Sequence, residues 1–407
     1  MGRSALLVSA HPPGSGSGTG VRAELTIAAL RSCCDRVDTV SLALPSEDAR
    51  AGEVLLIPRA GEPGLLGRIV DLGRGGSYYG AERRAGVEAH LQKAVAKGRL
   101  EPRYDLLWIG PQSLCARSAL RAVDASARVL DVDSVVAANI RRLADDPDLP
   151  LYHRWFRRVT AAVVARGERR RCNQVDLVTV ASELEWDRLG DVNPEVAILP
   201  NAVPPGAPIR FGNTGPSLLF VGSLHYEANI DAVRWFVEAI LPRVRALRPD
   251  AELTVAGSSP TGEIVELCAQ PNVRLVPNPP TLEPIYSGAR VVVAPIRLGG
   301  GTRLKLLEAM AHGAAVVATS AAVEGLPLED EREILTADSP EEFAERCTEL
   351  LNDVERAARL GQAALKTWSS QYRPERAQEQ IVALVERVLS SKGARASSGR
   401  PSPAARP

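Results

Sequence analysis

The chain has 407 residues, of which 45% are hydrophobic and 24% are charged, a balance typical of folded globular domains. This length exceeds what one hydrophobic core usually serves, so we expect two domains. Lys+Arg and Asp+Glu both total 49, so no overall positive field favours nucleic acid. The six cysteines are scattered and the N-terminus does not resemble a signal peptide, so we predict reduced thiols and a cytoplasmic location.

The first half of the chain contains six short runs rich in Val, Ile and Leu, with helical patterns between them. Such runs are typical of buried parallel strands. They span residues 5–10, 37–44, 104–110, 128–133, 177–182 and 196–200. Parallel strands that alternate with helices predict a doubly wound α/β domain over residues 1–203, with ligands bound beyond the carboxyl ends of its strands.

A glycine-rich turn follows the first predicted strand at residues 12–20. It contains Gly16 and Gly18, but Val21 stands where a dinucleotide fingerprint requires its third glycine, and P-loop spacing is missing as well. We expect this turn to line a cleft, with Gly18 close to a bound ligand. A plain surface loop is the alternative.

Two acidic residues, Asp131 and Asp133, stand at the end of the fourth predicted strand. A D-x-D pattern can indicate a metal site, but metals that prefer oxygen ligands usually need more partners than this segment offers. We therefore predict no metal here and expect Asp133 to be a polar contact in the cleft.

Arginines and aromatic residues are mixed in the stretch from Arg154 to Arg171, which includes Trp155 and Phe156. A helix of this composition can dock on anionic lipid headgroups. The alternative is an exposed helix whose arginine stems cover apolar surface. The sequence leaves both open, so peripheral contact with the inner face of the membrane is a hypothesis.

Residues 204–215 are rich in Pro and Gly and predict a linker between two domains. A second series of apolar runs follows and predicts a second doubly wound sheet, in a domain over residues 216–365. These runs span residues 217–223, 252–258, 273–277, 289–296, 314–320 and 333–337.

The last part of the chain is first helical and then of low complexity. Residues 366–390 predict helices interrupted at Pro374, which pack on one domain or cross back to the first. Residues 391–407 are mostly Ser, Gly, Ala, Arg and Pro, so we expect them to be disordered.

The strongest motif is a strand, a glycine turn and a helix within residues 294–313. Glycines let backbone N–H groups approach a ligand closely and a helix N-terminus adds partial positive charge, which together predict a diphosphate cradle. Lys305 could add a full charge, and Glu308 could accept hydrogen bonds from two vicinal hydroxyls. Helical periodicity places Lys305, Glu308 and His312 together on a face directed away from the core. A tight turn before a solvated helix face is the alternative. The turn itself consists of Gly299, Gly300, Gly301, Thr302 and Arg303.

Several ordered motifs together resemble the group 1 glycosyltransferases of family 4 type, which have the GT-B fold. The resemblance is strong from Pro200 to Tyr372 and closest to a subset with a GGGTRxK…EAMA motif. It is carried by residues 198–203, 219–224, 253–257, 299–313 and 324–326.

That resemblance implies two Rossmann-like domains facing across a cleft, with the acceptor on the N-terminal side and a nucleotide-sugar donor on the C-terminal side. It also implies metal-independent sugar transfer of hexosyltransferase type with retention of anomeric configuration. Glu308 would bind the donor ribose, Lys305 would act on the diphosphate as a catalytic residue, and Asp133 would be a second catalytic residue. Further donor contacts would come from Gly18, Gly222, Ser223, Gly299, Gly300, Gly301, Thr302 and Arg303.

The chain departs from the commonest family pattern in the donor motifs. Gly300 stands where the family often has a second Glu, and Ser223 and Asn229 stand where it often has Arg and Lys. Asp133 stands where a His is frequent in the N-terminal domain.

Three functions therefore remain open from the sequence. The first is transfer of a sugar to a glycan, a glycolipid precursor or a small metabolite. The second is epimerisation of a nucleotide sugar, which needs acid and base groups that the sequence does not identify. The third is a non-catalytic partner subunit that binds a nucleotide sugar, suggested by the three replaced motif residues.

Overall fold

The computed structural model describes residues 2–9, 18–43, 54–58, 86–110, 116–145, 150–192, 194–209, 211–213, 215–298 and 304–397. These residues belong to two compact units. Unit 1 comprises the chain up to Asn201 together with residues from Glu375 onward, and unit 2 comprises Ala202–Pro374. The chain therefore leaves unit 1 once and returns to it at the start of its last helix.

Unit 1 contains a sheet of seven parallel strands in the order β3-β2-β1-β4-β5-β6-β7. Because β1 lies inside the sheet, the chain winds outward in both directions, as predicted for a doubly wound domain. The sequence pattern missed only β3, a five-residue edge strand that ends in proline. The strands are β1 Ser4–Ser9, β2 Arg36–Ala43, β3 Val54–Pro58, β4 Arg103–Ile109, β5 Asp124–Val132, β6 Leu177–Val180 and β7 Glu195–Ile198.

Six described helices connect these strands. On one face of the sheet the buried side chains of β1 and β4 pack against Ala23, Ile27 and Leu30 of the first helix. On the other face the apolar core includes Leu91 and Val164 from later helices. The helices are α1 Gly18–Cys33, α2 Val87–Ala96, α3 Ala116–Ala122, α4 Val136–Leu143, α5 Leu151–Cys172 and α6 Glu183–Leu189.

Unit 2 contains a second parallel sheet, of six strands, in the order β10-β9-β8-β11-β12-β13. Each of its strands overlaps one of the six predicted runs. The first strand of the unit, β8, again lies inside the sheet. The strands are β8 Ser217–Val221, β9 Glu252–Gly257, β10 Val273–Pro277, β11 Val291–Ala294, β12 Ala315–Ala318 and β13 Leu335–Thr336.

The helices of unit 2 pack on both faces of this sheet around one apolar core. A π-helical turn at Phe236–Ile240 joins α7 to α8. Among the described residues of the chain, no helix is both long and apolar enough to cross a bilayer. The helices are α7 Glu227–Trp235, α8 Leu241–Leu247, α9 Gly262–Leu267, α10 Glu283–Ser287, α11 Leu304–Ala311, α12 Ser320–Val323, α13 Pro340–Asn352 and α14 Val354–Gln371.

The segment predicted as a linker, residues 204–215, differs from that expectation. Ile209 and Phe211 are buried in the core of unit 2, and the Ile209 N–H donates to the His312 carbonyl at 3.0 Å. Pro and Gly make this backbone irregular, but they do not prevent the apolar side chains between them from packing. The segment is therefore part of unit 2.

The last helix, α15 Pro374–Ser397, packs on unit 1 through Ile381, Val385 and Val388. It begins at the proline where a helix break was predicted. The helix also continues through Ser397, so the prediction of disorder is wrong for residues 391–397. An ion pair of 2.6 Å between Lys392 and Asp176 ties this last part to unit 1. Residues 398–407 lie outside the described residues.

Candidate active site

The turn after β8 lies at the carboxyl edge of the unit 2 sheet, where doubly wound sheets bind ligands. The Gly222 N–H donates to the Ala256 carbonyl at 3.1 Å, and the Leu224 N–H donates to the Ser258 carbonyl at 2.8 Å. A Cβ on Gly257 would lie 1.7 Å from the Gly222 carbonyl oxygen. The two backbones therefore touch here, which fixes the turn against the end of β9.

The side chain of Lys305, in the first turn of α11, reaches this turn. Its Nζ donates to Asn229 Oδ1 at 2.7 Å and lies 4.3 Å from the centre of the Phe220 ring. Asn229 is buried and its Nδ2 donates to the Ser223 carbonyl at 2.9 Å. A Cβ on Gly222 would come within 3.0 Å of the lysine Nζ. The structure thus brings together three predicted site residues and Asn229.

Glu308 lies about one helical turn after Lys305 on α11 and is half-buried. Burial raises the pKa of its carboxyl group to about 7, whereas the Lys305 charge and the Tyr286 hydroxyl oppose that rise. A carboxyl group with this pKa is partly ionised near neutral pH and can accept hydrogen bonds from hydroxyl groups in its ionised form.

The prediction that His312 is directed away from the core is wrong. Its ring is buried and stacks on Tyr286, with ring centres 4.2 Å apart and planes at 14°. Its Nδ1 lies 3.0 Å from the Ala207 carbonyl oxygen. A Cβ on Gly206 would lie 2.4 Å from the imidazole, so the segment before β8 covers this histidine only because glycine stands there. His312 therefore supports the site from within the core.

Side-chain contacts hold the segment between β11 and the predicted glycine turn. The Arg297 guanidinium pairs with Asp231 at 2.7 Å and 3.2 Å and lies 5.0 Å from the centre of the Trp235 ring. The Thr319 hydroxyl donates to the Ile296 carbonyl. These contacts hold the end of the strand that precedes the turn. The predicted ligand contacts that lie outside the described residues are Gly299, Gly300, Gly301, Thr302 and Arg303.

The helix after the glycine turn ends as the sequence predicts. Gly313 has a left-handed backbone with φ of 62°, and its N–H donates to the Met310 carbonyl at 2.9 Å. A residue other than glycine would strain this conformation. The sharp end of α11 leads the chain directly into the buried strand β12.

In unit 1, Asp133 follows β5 at the carboxyl edge of the sheet. Its Oδ1 is buried and has no hydrogen-bond partner within the described ranges. Burial raises the pKa of the carboxyl group to about 7; Arg22 opposes the rise, and Asp131 and Glu185 add to it. This group therefore changes its charge near neutral pH.

A buried ion pair lies beside Asp133 and was not predicted. Arg22 donates to both oxygens of Asp131, each at 2.7 Å, and also to Asn201 Oδ1 at 2.9 Å. The Thr179 hydroxyl donates to the same carboxylate at 2.7 Å. No local pattern could reveal this pair, because Arg22 and Asp131 are 109 residues apart in the chain.

The two acidic residues of the D-x-D pattern have different partners in this structure. Both oxygens of Asp131 are occupied by Arg22. In the part of the chain that the structure describes, no group of three or more His, Cys, Asp or Glu residues is placed to hold a metal ion.

Gly18 is the first residue of α1. Residues 10–17, which precede it, lie outside the described ranges. Its predicted contact with a ligand therefore stays a prediction.

Residues 215–353 match the family model described as Glycosyl transferases group 1. This range lies within unit 2 and includes Gly222, Asn229, Lys305 and Glu308, so the similarity to that family covers these residues. The chain is also 29% identical over 157 residues to an uncharacterized 44.6 kDa protein in the cps region of Klebsiella pneumoniae. That alignment covers 36% of this chain and 40% of the relative.

Solved structures of similar fold cover nearly the whole chain. Sucrose-phosphate synthase from Thermosynechococcus elongatus has a TM-score of 0.69 at 15% identity and covers 96% of this chain and 100% of its own. TarM has a TM-score of 0.66 at 13% identity, with 94% and 98% covered. Anabaena HepE in complex with UDP and glucose has a TM-score of 0.65 at 12% identity, with 94% and 99% covered. These matches show the GT-B fold.

Proposed function

We propose that this protein is a retaining glycosyltransferase that moves a sugar from a nucleoside-diphosphate sugar to an acceptor hydroxyl. The observation that carries the proposal is the cluster of Lys305, Asn229, Gly222 and Glu308 at the carboxyl edge of the unit 2 sheet, within the range similar to group 1 glycosyl transferases. The complexes of HepE with UDP-glucose and with UDP support a nucleotide-sugar donor. The acceptor would be a glycan, a glycolipid precursor or a small metabolite.

Donor binding is assigned to unit 2. The Glu308 carboxylate would accept hydrogen bonds from the two ribose hydroxyls, and it would do so in its ionised form. The backbone around Gly222 and Ser223 would contact the donor next to Lys305. Amides of the glycine turn, Gly299 to Thr302, would hold the sugar and the phosphates, with Arg303 beside them.

Departure of the nucleoside diphosphate is assigned to Lys305. When the bond between the anomeric carbon and the donor phosphate breaks, the phosphate oxygen keeps the electron pair and gains negative charge. A cation already held in place stabilises that charge without reorganisation. Asn229 and the Phe220 ring hold the ammonium group in this way, which supports transfer without a metal ion.

On the acceptor side, we assign Asp133 of unit 1 as the group that receives the acceptor proton. A base works best when its pKa lies near the working pH, and the pKa of Asp133 is about 7. The buried pair of Arg22 and Asp131 supports this assignment because it fixes the charges around the group.

Turnover by the purified chain tests the proposal against its alternatives. UDP-, GDP- and dTDP-sugars are incubated with and without candidate acceptors, and the free nucleoside diphosphate and the sugar products are measured. A transferase releases nucleoside diphosphate in an acceptor-dependent way. Sugar conversion without an acceptor would indicate an epimerase, and tight donor binding with neither product would indicate a non-catalytic partner subunit.

We also propose that the protein acts in the cytoplasm. The five described cysteines form no disulfide, although Cys33 and Cys34 place their sulfur atoms 4.0 Å apart. Free thiols are typical of a reducing compartment.

A further inference from the structure

The first part of α5 exposes large apolar side chains to solvent. Within the described residues, nine large hydrophobic side chains are exposed, and five of them lie in the first nine residues of this helix. Soluble helices normally place polar residues on their outer face. A concentrated apolar patch of this kind indicates a surface that contacts something else. The five residues are Leu151, Tyr152, Trp155, Phe156 and Val159.

The exposed face of α5 continues from apolar to cationic residues. Successive residues turn by about 100°, so Trp155, Val159, Ala162 and Arg166 lie along one stripe, and Arg169 and Arg170 flank its end. The opposite side of the helix is buried in unit 1, through residues that include Ala161, Val164 and Cys172. The stripe therefore points away from the core of unit 1. The α5 face comprises Leu151, Tyr152, Trp155, Phe156, Val159, Ala162, Arg166, Arg169 and Arg170.

Some arginines of the stretch from Arg154 to Arg171 contact other parts of unit 1 instead. Arg154 and Arg157 donate to the backbone carbonyls at the end of α4, at 3.3 Å and 2.8 Å. Arg158 pairs with Asp145 at 2.9 Å, and Arg171 is buried. These four arginines are therefore not part of the α5 face, whose cations are Arg166, Arg169 and Arg170.

We propose that the α5 face docks on the surface of an anionic lipid bilayer. Aromatic and aliphatic side chains of the first two turns would enter the region between headgroups and acyl chains, where Trp and Tyr are favoured. Arg166, Arg169 and Arg170 would bind lipid phosphates about two to three turns further along, and charge complementarity therefore selects anionic lipids. This surface belongs to unit 1 and does not depend on the proposed donor site in unit 2.

The proposal is tested by sedimenting the full chain with vesicles of phosphatidylcholine alone or with about one third phosphatidylglycerol. We expect at least about tenfold stronger partitioning onto the anionic vesicles, weakened by high salt. Trp155→Ala and the triple variant Arg166→Gln, Arg169→Gln, Arg170→Gln should each lower this partitioning by about tenfold or more. The loss of partitioning caused by Trp155→Ala should persist at high salt, whereas the loss caused by the triple arginine variant should become smaller.

Matched controls carry the same chemical changes elsewhere on unit 1. Trp186 is also exposed, and Arg99, Arg103 and Arg121 lie on other elements. Trp186→Ala and the triple variant Arg99→Gln, Arg103→Gln, Arg121→Gln should leave vesicle binding unchanged. Equal losses in the controls, absence of binding to anionic vesicles, or equal binding to both vesicle types would overturn the proposal. So would a dimer, seen by size-exclusion chromatography without lipid, that Trp155→Ala dissociates.

Discussion

Each unit has a basic side chain at the carboxyl edge of its parallel sheet, but the neighbours of that side chain differ between the units. In unit 1, Arg22 makes two hydrogen bonds to the Asp131 carboxylate, and both side chains are buried. In unit 2, Lys305 is half-buried, and the oxygen that accepts from it belongs to the neutral amide of Asn229. A buried pair neutralises its own charges, whereas the half-buried Lys305, whose charge also acts on the Glu308 carboxyl group, can still meet an anionic ligand. We therefore expect Arg22 to contribute to stability and Lys305 to contribute to the proposed ligand chemistry.

The largest expected effect on stability comes from a substitution that breaks the pair of Arg22 and Asp131 in unit 1. Asp131→Ala leaves Arg22 buried without its carboxylate, so we expect a loss of about 3–5 kcal/mol in the free energy of unfolding. Lys305→Ala should change that free energy by less than about 1 kcal/mol. Urea unfolding followed by circular dichroism measures both. Equal losses in the two variants would remove the distinction between the units.

The next effect concerns turnover. Lys305→Ala should lower kcat by about 100- to 1000-fold, as is typical when one group that stabilises developing charge is removed. The affinity for the donor should fall by less, because the charge on the leaving diphosphate grows in the transition state. Steady-state kinetics of nucleoside diphosphate release measures the two quantities. A fall in donor affinity with unchanged kcat would mean that Lys305 contributes to donor binding and not to the departure of the diphosphate.

A single isosteric change should make unit 2 resemble unit 1. Asn229→Asp turns the amide that holds Lys305 into a carboxylate, so the lysine charge would be neutralised by an ion pair. We expect donor affinity to fall by about tenfold, since one charge contact is lost to the new partner. Titration calorimetry with the donor measures this. Asn229→Ser, which adds no charge, is the control and should have the smaller effect; unchanged affinity in the Asp variant would contradict a role for the Lys305 charge.

A last expected effect, of similar size, is a pH dependence of donor binding. Burial raises the pKa of Glu308 to about 7. In the proposed donor complex, only the ionised form would accept both ribose hydrogen bonds. Lowering the pH from about 8 to 6 protonates this group, so the donor Kd should rise by about tenfold. Glu308→Gln cannot ionise and should bind weakly with little dependence on pH. The same slope in both proteins would assign the titration to another group.

The sequence was sufficient to predict most of the fold. Buried parallel strands are continuous apolar runs, and twelve such runs match twelve of the thirteen strands in the described residues. Long-range side-chain contacts were not predictable in the same way. The pair of Arg22 and Asp131 and the contact between Lys305 and Asn229 join residues 109 and 76 positions apart, and only the folded chain brings them together.

The contacts around the candidate site were less predictable than the fold. The glycine motif identified Lys305, and its helix indeed ends at Gly313, but helical periodicity wrongly placed His312 on the exposed side. Periodicity describes one helix alone, whereas the burial of His312 depends on a distant segment at Gly206 that folds over it. In contrast, no contact was predicted for Asn229, which stands where the family often has a charged residue, and its position in the fold makes it the partner of Lys305.

Binding of nucleotide sugars to the purified chain and to Glu308→Ala tests the central claim most directly. Thermal unfolding is followed with UDP-, GDP- and dTDP-sugars, because a ligand that binds only the folded protein raises its Tm. The account predicts that one nucleotide class raises the Tm of the natural protein and that this rise is lost in Glu308→Ala. An equal rise in both proteins would contradict the ribose assignment, and no rise with any of these sugars would contradict a nucleotide-sugar donor.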